Sequence, residues 1–170
     1  MKIFDFEDWE LTQYTLKDIL DYDPKTGKFT WLVKPSARVY LGQQAGTIDV
    51  NGCRIIKIAG KNYKAHRLAW LWVHGEWPKL DLDFRNHDPD DNRIANLREA
   101  TKSQNGANSV ARRNGLKGAY WHEADQKWTS TIQVNGKQFW LGNFNTEKEA
   151  HAAYCKAAKQ HFGEFAYAGK

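Results

Sequence analysis

The residues best suited to chemistry lie in one stretch, Leu80 to Asn105, which reads LDLDFRNHDPDDNRIANLREATKSQN. A short apolar segment, Leu80 and Leu82, delivers Asp83 to a polar loop from Arg85 to Arg93. That loop is dense in Asn and Asp, which bond to their own backbone and tolerate turn conformations. A second short apolar segment runs from Ile94 to Glu99, and Thr101 with Gln104 three residues on forms a capping box that starts a helix. The helix carries Asn105 on its first turns. Strand, looped strand and helix bring Asp83 and Asn105 together as two hard oxygen ligands, suited to a single divalent ion, Mg²⁺ or Mn²⁺.

Asp83, Asn86, Asp91-Asn92-Arg93, Asn96-Leu97-Arg98 and Ser103-Gln104-Asn105 follow one another in the order of a known motif. The stretch resembles the ββα-metal motif of HNH endonucleases of the phage homing type. The resemblance implies that Asp83 and Asn105 hold one metal ion, that Asn96 braces the loop, and that a His following the Asp is the general base. This chain has Phe84 at that position.

Phosphodiester hydrolysis by this route needs a group that takes a proton from water near neutral pH, for which imidazole is the usual choice. A phenyl ring can do neither half of that exchange. His87, three residues on, falls at a turn position of the loop. A bound metal also lowers the pKa of its water without a side-chain base. The expectation at Phe84 is therefore cleavage reduced by the ~10²–10⁴ that general-base catalysis contributes. The competing reading is a catalytically silent DNA-binding protein, or a transcription regulator, that occupies its site.

Upstream elements must position this motif. Leu16, Ile19 and Leu20 take helical spacing within residues 15–22, with Thr15 as cap. The turn Asp23-Pro24-Lys25-Thr26-Gly27 leads to a strand over 28–33, and residues 34–44 read as a loop. A hairpin follows, 45–50 and 54–58 around Asn51-Gly52, then a turn at Gly60-Lys61-Asn62. The helix from His66 to His74, closed by Gly75, is apolar nearly all round, the pattern of a buried helix. His66 and His74 read as structural, the alternative being a role for His66 or Arg67 near a DNA phosphate.

Beyond the motif, Gly106 to Gly115 (GANSVARRNG) has a linker's composition, and Arg112 and Arg113 are placed to lie along a phosphate backbone. The pattern then becomes strand (117–122), strand (127–134), Asn135-Gly136 turn, strand (137–144), and a helix from Thr146 with Glu149 as its capping-box partner, ending near Gly163. Ala150, Ala153, Tyr154 and Ala157 form the helix's inner stripe. Alternation puts Trp128, Ser130, Ile132, Phe139 and Leu141 toward the helix, and Tyr120, His122, Thr129, Thr131, Gln133, Gln138 and Trp140 on the opposite face. Lys117-Gly118-Ala119, Lys127-Trp128, Trp140 to Phe144, Thr146 with Glu149-Ala150, and Ala153-Tyr154 resemble the AP2 DNA-binding domain. The resemblance implies that the sheet, with Lys137 at its edge, enters a DNA groove.

Composition agrees with a polyanion partner. The formal net charge is +5, residues 1–100 balance 15 Lys/Arg against 15 Asp/Glu, and residues 101–170 hold 10 against 5. Cys53 and Cys155 lack zinc-ligand spacing and read as free thiols of a reducing compartment. The chain start lacks a signal-peptide pattern, and no apolar run is long enough for a membrane span. The expectation is an α+β protein of the host-cell cytoplasm, not secreted. It has an HNH-like region with its N-terminal extension (1–105), a linker (106–115) and an AP2-type sheet packed on one helix (116–170). It acts as a monomer on double-stranded DNA, without membrane or zinc.

Overall fold

The computed structural model describes residues 10–109 and 115–167, an α+β arrangement of small antiparallel sheets and short helices. The chain forms two compact units that divide between Glu99 and Ala100.

In the first unit, α1 (Gln13–Ile19) is capped by Thr12 rather than by Thr15. The two threonines form a reciprocal box: Thr12 Oγ1 accepts from the Thr15 N–H at 3.3 Å, and Thr15 Oγ1 accepts from the Thr12 N–H at 3.0 Å. The helix stops at Ile19 because the next apolar residues follow a period of two. Leu20 and Tyr22 point inward from β1 (Leu20–Asp23), opposite Trp31 and Phe29 of β2 (Lys28–Trp31). The intervening turn ends at Gly27, with φ +72. A Cβ there would lie 2.5 Å from the Arg93 backbone N and 2.7 Å from the Asn92 carbonyl carbon, so only glycine lets this turn press on the polar loop.

β3 (Thr47–Ile48), β4 (Arg54–Ile58) and β5 (Lys61–Lys64) form an antiparallel sheet in that order. The expected two-residue Asn51-Gly52 turn is wider than that. Asp49 Oδ1 accepts from the N–H groups of Asn51 and Cys53, and of the two turn residues only Gly52 takes positive φ. The tight turn of this sheet is instead Ala59-Gly60, with φ +50 and +78. α2 (Ala65–His74) ends at Gly75 in the left-handed conformation. It buries Ala65, His66, Leu68, Ala69 and Leu71 while Val73 stays exposed, so one face is buried rather than the whole circumference. β6 (Asp81–Phe84) pairs with β7 (Leu97–Ala100). The core of this unit is centred on Leu16, Leu20, Phe29, Ile56, Leu68 and Leu71.

In the second unit, α3 (Lys102–Asn108) starts from the expected Thr101/Gln104 box and includes Gly106, the first residue of the expected linker. β8 (Ala119–His122), β9 (Lys127–Val134) and β10 (Lys137–Phe144) form a sheet of order β10-β9-β8, with Asn135-Gly136 at φ +49 and +81. α4 (Glu147–Phe162), boxed by Thr146 and Glu149, lays Ala150, Tyr154, Ala157, Ala158 and Phe162 into the core with Ile132. At Gly118, φ +77, a Cβ would sit 2.1 Å from the Tyr154 ring. α3 shares this core through Ala107.

Candidate metal centre and nucleic-acid surface

Asp83 sits on β6 with 7% of its surface exposed. Its carboxylate is held by Arg98 of β7, whose Nε donates to Asp83 Oδ2 at 2.8 Å. Each side chain of the pair is 8% exposed, so the two charges compensate one another away from water.

The loop after Asp83 is tied from several sides. Asn96 is buried; its Oδ1 accepts from the Asn86 N–H at 3.0 Å and its Nδ2 donates to the Asp91 carbonyl at 2.9 Å, spanning the loop from end to end. Asp91 chelates the Arg93 guanidinium, whose hydrogen bond is the main reason the carboxyl lies below its ordinary range. Arg54 of β4 reaches Asp90 through two bonds of 2.8 Å. Tyr22 donates to the Asn92 carbonyl at 2.8 Å, and burial pushes its hydroxyl up to about 12, so it remains a donor at any ordinary pH.

Phe84 is half-buried against the first unit's core. Its ring meets the His66 imidazole with centroids 5.0 Å apart and planes at 82°. His66 is 6% exposed, and its Nδ1 is buried without a hydrogen-bond partner. Burial, reinforced by Lys64 and Arg67, lowers the imidazole to about 4, which keeps it neutral. His87 takes the left-handed conformation, φ +64, and its N–H donates to the Phe84 carbonyl at 3.1 Å.

In the second unit, Asn105 lies within the first turns of α3, and its backbone N–H donates to the Thr101 carbonyl at 2.9 Å. Its Oδ1 is buried and accepts no hydrogen bond. The far end of α3 is capped from the C-terminal module. Lys117 Nζ donates to the carbonyls of Ala107 at 2.5 Å, Ser109 at 2.7 Å and Gly106 at 3.4 Å. The same ammonium lies 5.8 Å from the Tyr154 ring centroid and 6.0 Å from that of Tyr167. Burial pulls it down to about 8, and the three carbonyls reward its protonated form. Among the described residues, no group of three or more His, Cys, Asp or Glu is placed to hold an ion.

The second unit's sheet presents Tyr120, His122, Gln133, Lys137, Gln138 and Trp140 as exposed side chains, Trp140 at 66%. Thr131 is half-buried and accepts from Gln138 Nε2 at 3.1 Å. Thr129 differs from the expectation of an outward contact residue. It is 5% exposed, and its hydroxyl donates to Asn143 Oδ1 at 2.8 Å, because the opposite residue in the register covers it. Phe139, expected to pack toward the helix, stacks on His161 of α4 at 6.1 Å yet remains 46% exposed. Arg112 and Arg113 lie outside the described residues.

Arg98, His66 and Lys117 make contacts in the structure that the sequence did not assign them. Arg98 is visible only through the β6–β7 pairing, His66 only through its contact with Phe84, and Lys117 only once α3 is placed.

Residues 63–107 match the HNH endonuclease family and residues 114–164 match the AP2 domain family. No curated protein and no solved structure matches the chain. No helix among the described residues is long and apolar enough to cross a membrane. The two matched segments give the chain an HNH-then-AP2 architecture, which indicates DNA binding.

Proposed function

We propose that this chain, with its HNH segment followed by an AP2 segment, binds double-stranded DNA and carries a metal-dependent phosphodiester-cleaving site impaired at Phe84. The observation that carries the reading is Asn105 Oδ1, a buried amide oxygen with no hydrogen-bond partner. Such an orphan costs about 1–3 kcal/mol unless something outside the chain's own donors satisfies it. A hard divalent ion does so, and a buried carboxylate and an amide oxygen are donors that fit Mg²⁺ or Mn²⁺. Asp83 and Asn105 would hold one ion, which supplies charge neutralisation at the scissile phosphate and at the departing oxygen.

The chain's own residues divide the remaining tasks. Arg98 fixes the Asp83 carboxylate, and a metal would share that carboxylate with the guanidinium. Asn96 holds the loop through Asn86 and Asp91. The exposed Tyr120, His122, Gln133, Lys137, Gln138 and Trp140, with Thr131 beside them, contact the duplex: Gln suits adenine edges, aromatic rings suit thymine methyls, and Lys137 suits phosphate. Arg112 and Arg113 add backbone contacts. The fuller assignment is a monomeric homing endonuclease of the phage type, acting in a host cell.

The ring at position 84 cannot accept a proton from water, which favours a second reading: a chain that binds its site and no longer cuts. Nicking of supercoiled plasmid with Mg²⁺ or Mn²⁺, run beside Phe84→His and Asp83→Asn, separates the two. Cleavage that rises in Phe84→His and vanishes in Asp83→Asn supports the nuclease reading. Binding without cleavage in both parent and Phe84→His supports the silent one.

A further inference from the structure

We infer that His66 is a positioning residue for the side chain at position 84, and that Phe84 leaves it without the hydrogen-bond partner it is placed to engage. Buried polar side chains are nearly always hydrogen-bonded, and each exception calls for a cause. His66 is 6% exposed and its Nδ1 has no partner. If the ring served only to fill space on α2, an apolar residue would do so without leaving a buried nitrogen unsatisfied.

The neighbour explains the exception. The Phe84 ring meets the imidazole at 5.0 Å and 82°, an edge-on contact in which the phenyl offers only its π cloud or its C–H edge. Either is a weak substitute for a nitrogen or oxygen partner. A histidine at 84 would bring a ring nitrogen to the same contact, and an imidazole–imidazole bond fixes which nitrogen of each ring carries the proton. His66 would thereby orient the base while remaining outside the reaction. Its depressed basicity agrees with that division, since an imidazole that stays neutral down to about 4 is a poor proton acceptor but a competent hydrogen-bonding partner.

The consequence for cleavage rests on the nuclease reading, whereas the pairing does not, and the experiment keeps them apart. Long-range ¹H–¹⁵N spectra of full-length parent and Phe84→His report the His66 ring nitrogens directly. Hydrogen-bonded shifts appearing at His66 in Phe84→His support the inference; ring resonances identical in the two proteins overturn it, whether or not the variant cuts. In the Phe84→His background, His66→Ala lowers kcat by roughly 10-fold or more with DNA affinity unchanged, and His66→Gln restores part of the loss. Cutting by Phe84→His/His66→Ala as fast as by Phe84→His also overturns it. A hydrogen bond that forms in Phe84→His without any metal-dependent nicking leaves the pairing intact and sinks the nuclease reading.

Discussion

The Arg98 guanidinium and the Asp83 carboxylate are joined at 2.8 Å between the paired strands β6 and β7, each side chain 8% exposed. Removing one charge of such a pair leaves the other desolvated and uncompensated. Arg98→Met should therefore cost about 3–5 kcal/mol, more than the net value of the pair itself. Urea unfolding at neutral pH measures it. If the midpoint stays unchanged, Asp83 is far better solvated than its burial indicates.

Gly27 and Gly118 are close approaches in different units. At Gly27 the added methyl group would meet Asn92 and Arg93 backbone, which cannot swing aside. At Gly118 it would run into the Tyr154 ring. Both glycines also hold positive φ, so alanine adds backbone strain of order 1 kcal/mol to the clash. Alanine at either site should lower the thermal midpoint by several degrees. Gly27→Ala should further loosen the polar loop, read as faster amide exchange at Asn92 and Arg93.

His66 sets a pH window for stability. Its imidazole protonates near 6.5 when unfolded but only near 4 when folded, because burial and the flanking Lys64 and Arg67 oppose the charge, with Asp49 opposing them weakly. Between those values the unfolded chain binds more protons, so stability is complete above about 6.5 and falls as the pH drops toward 4. The loss amounts to about 3 kcal/mol, and it levels off below the folded value. Asp23 and Asp91, whose carboxyls lie below their ordinary range, add their losses at lower pH. Unfolding midpoints at pH 7 and pH 4.5 should converge in His66→Gln and separate in the parent.

Local signals in the sequence carried much of this fold. The Thr101/Gln104 and Thr146/Glu149 boxes, Gly75 and Asn135-Gly136 all operate within a few residues, where chain chemistry decides the outcome. Thr15 is the expected cap but Thr12 holds that position, because each hydroxyl serves the other's backbone N–H. At Asn51-Gly52 a third residue, Asp49, captured the turn amides. Alternation placed Thr129 on the outer face but says nothing about cover, which Asn143 provides across the register. The Arg98–Asp83 pair and the His66–Phe84 contact join residues of different elements, and no local pattern encodes them.

Lys117 ties α3 to the C-terminal module, donating to the carbonyls of Gly106, Ala107 and Ser109, while the Tyr167 N–H reaches Ala107 O at 3.3 Å. A seven-residue helix has little intrinsic stability in water. Its persistence thus depends on these tertiary contacts and on Ala107 in the shared core. Lys117→Met keeps the aliphatic stem but removes the ammonium donor that joins the carbonyls of Gly106, Ala107 and Ser109, of which the first two keep other donors, at a cost of about 1–3 kcal/mol. Amide exchange across residues 102–108 should accelerate in Lys117→Met, with β9 and β10 unaffected. Equal protection in both proteins would show that the core contact alone holds the helix.

On the proposed reading, the exposed sheet face and Lys137 at its edge separate affinity from sequence discrimination. Lys137 is exposed at the start of β10 and brings a point charge, so Lys137→Ala should weaken binding to all duplexes alike and reduce the slope of log K against log salt by about 0.9. Trp140, at 66% exposure, would on the proposed reading contribute by stacking or methyl contact rather than by charge. Trp140→Ala should therefore weaken binding at every salt concentration without changing the slope. Gln138 already donates to Thr131, so on the proposed reading it would meet the duplex as an oriented amide rather than a free rotor. Gln138→Ala should relax preference at one base position by about 1–3 kcal/mol while leaving non-specific affinity intact. Titrations of the three variants against specific and scrambled duplexes at several salt concentrations test all of this together. Were Lys137→Ala and Gln138→Ala to alter slope and preference in the same way, this face would not be the surface that reads DNA.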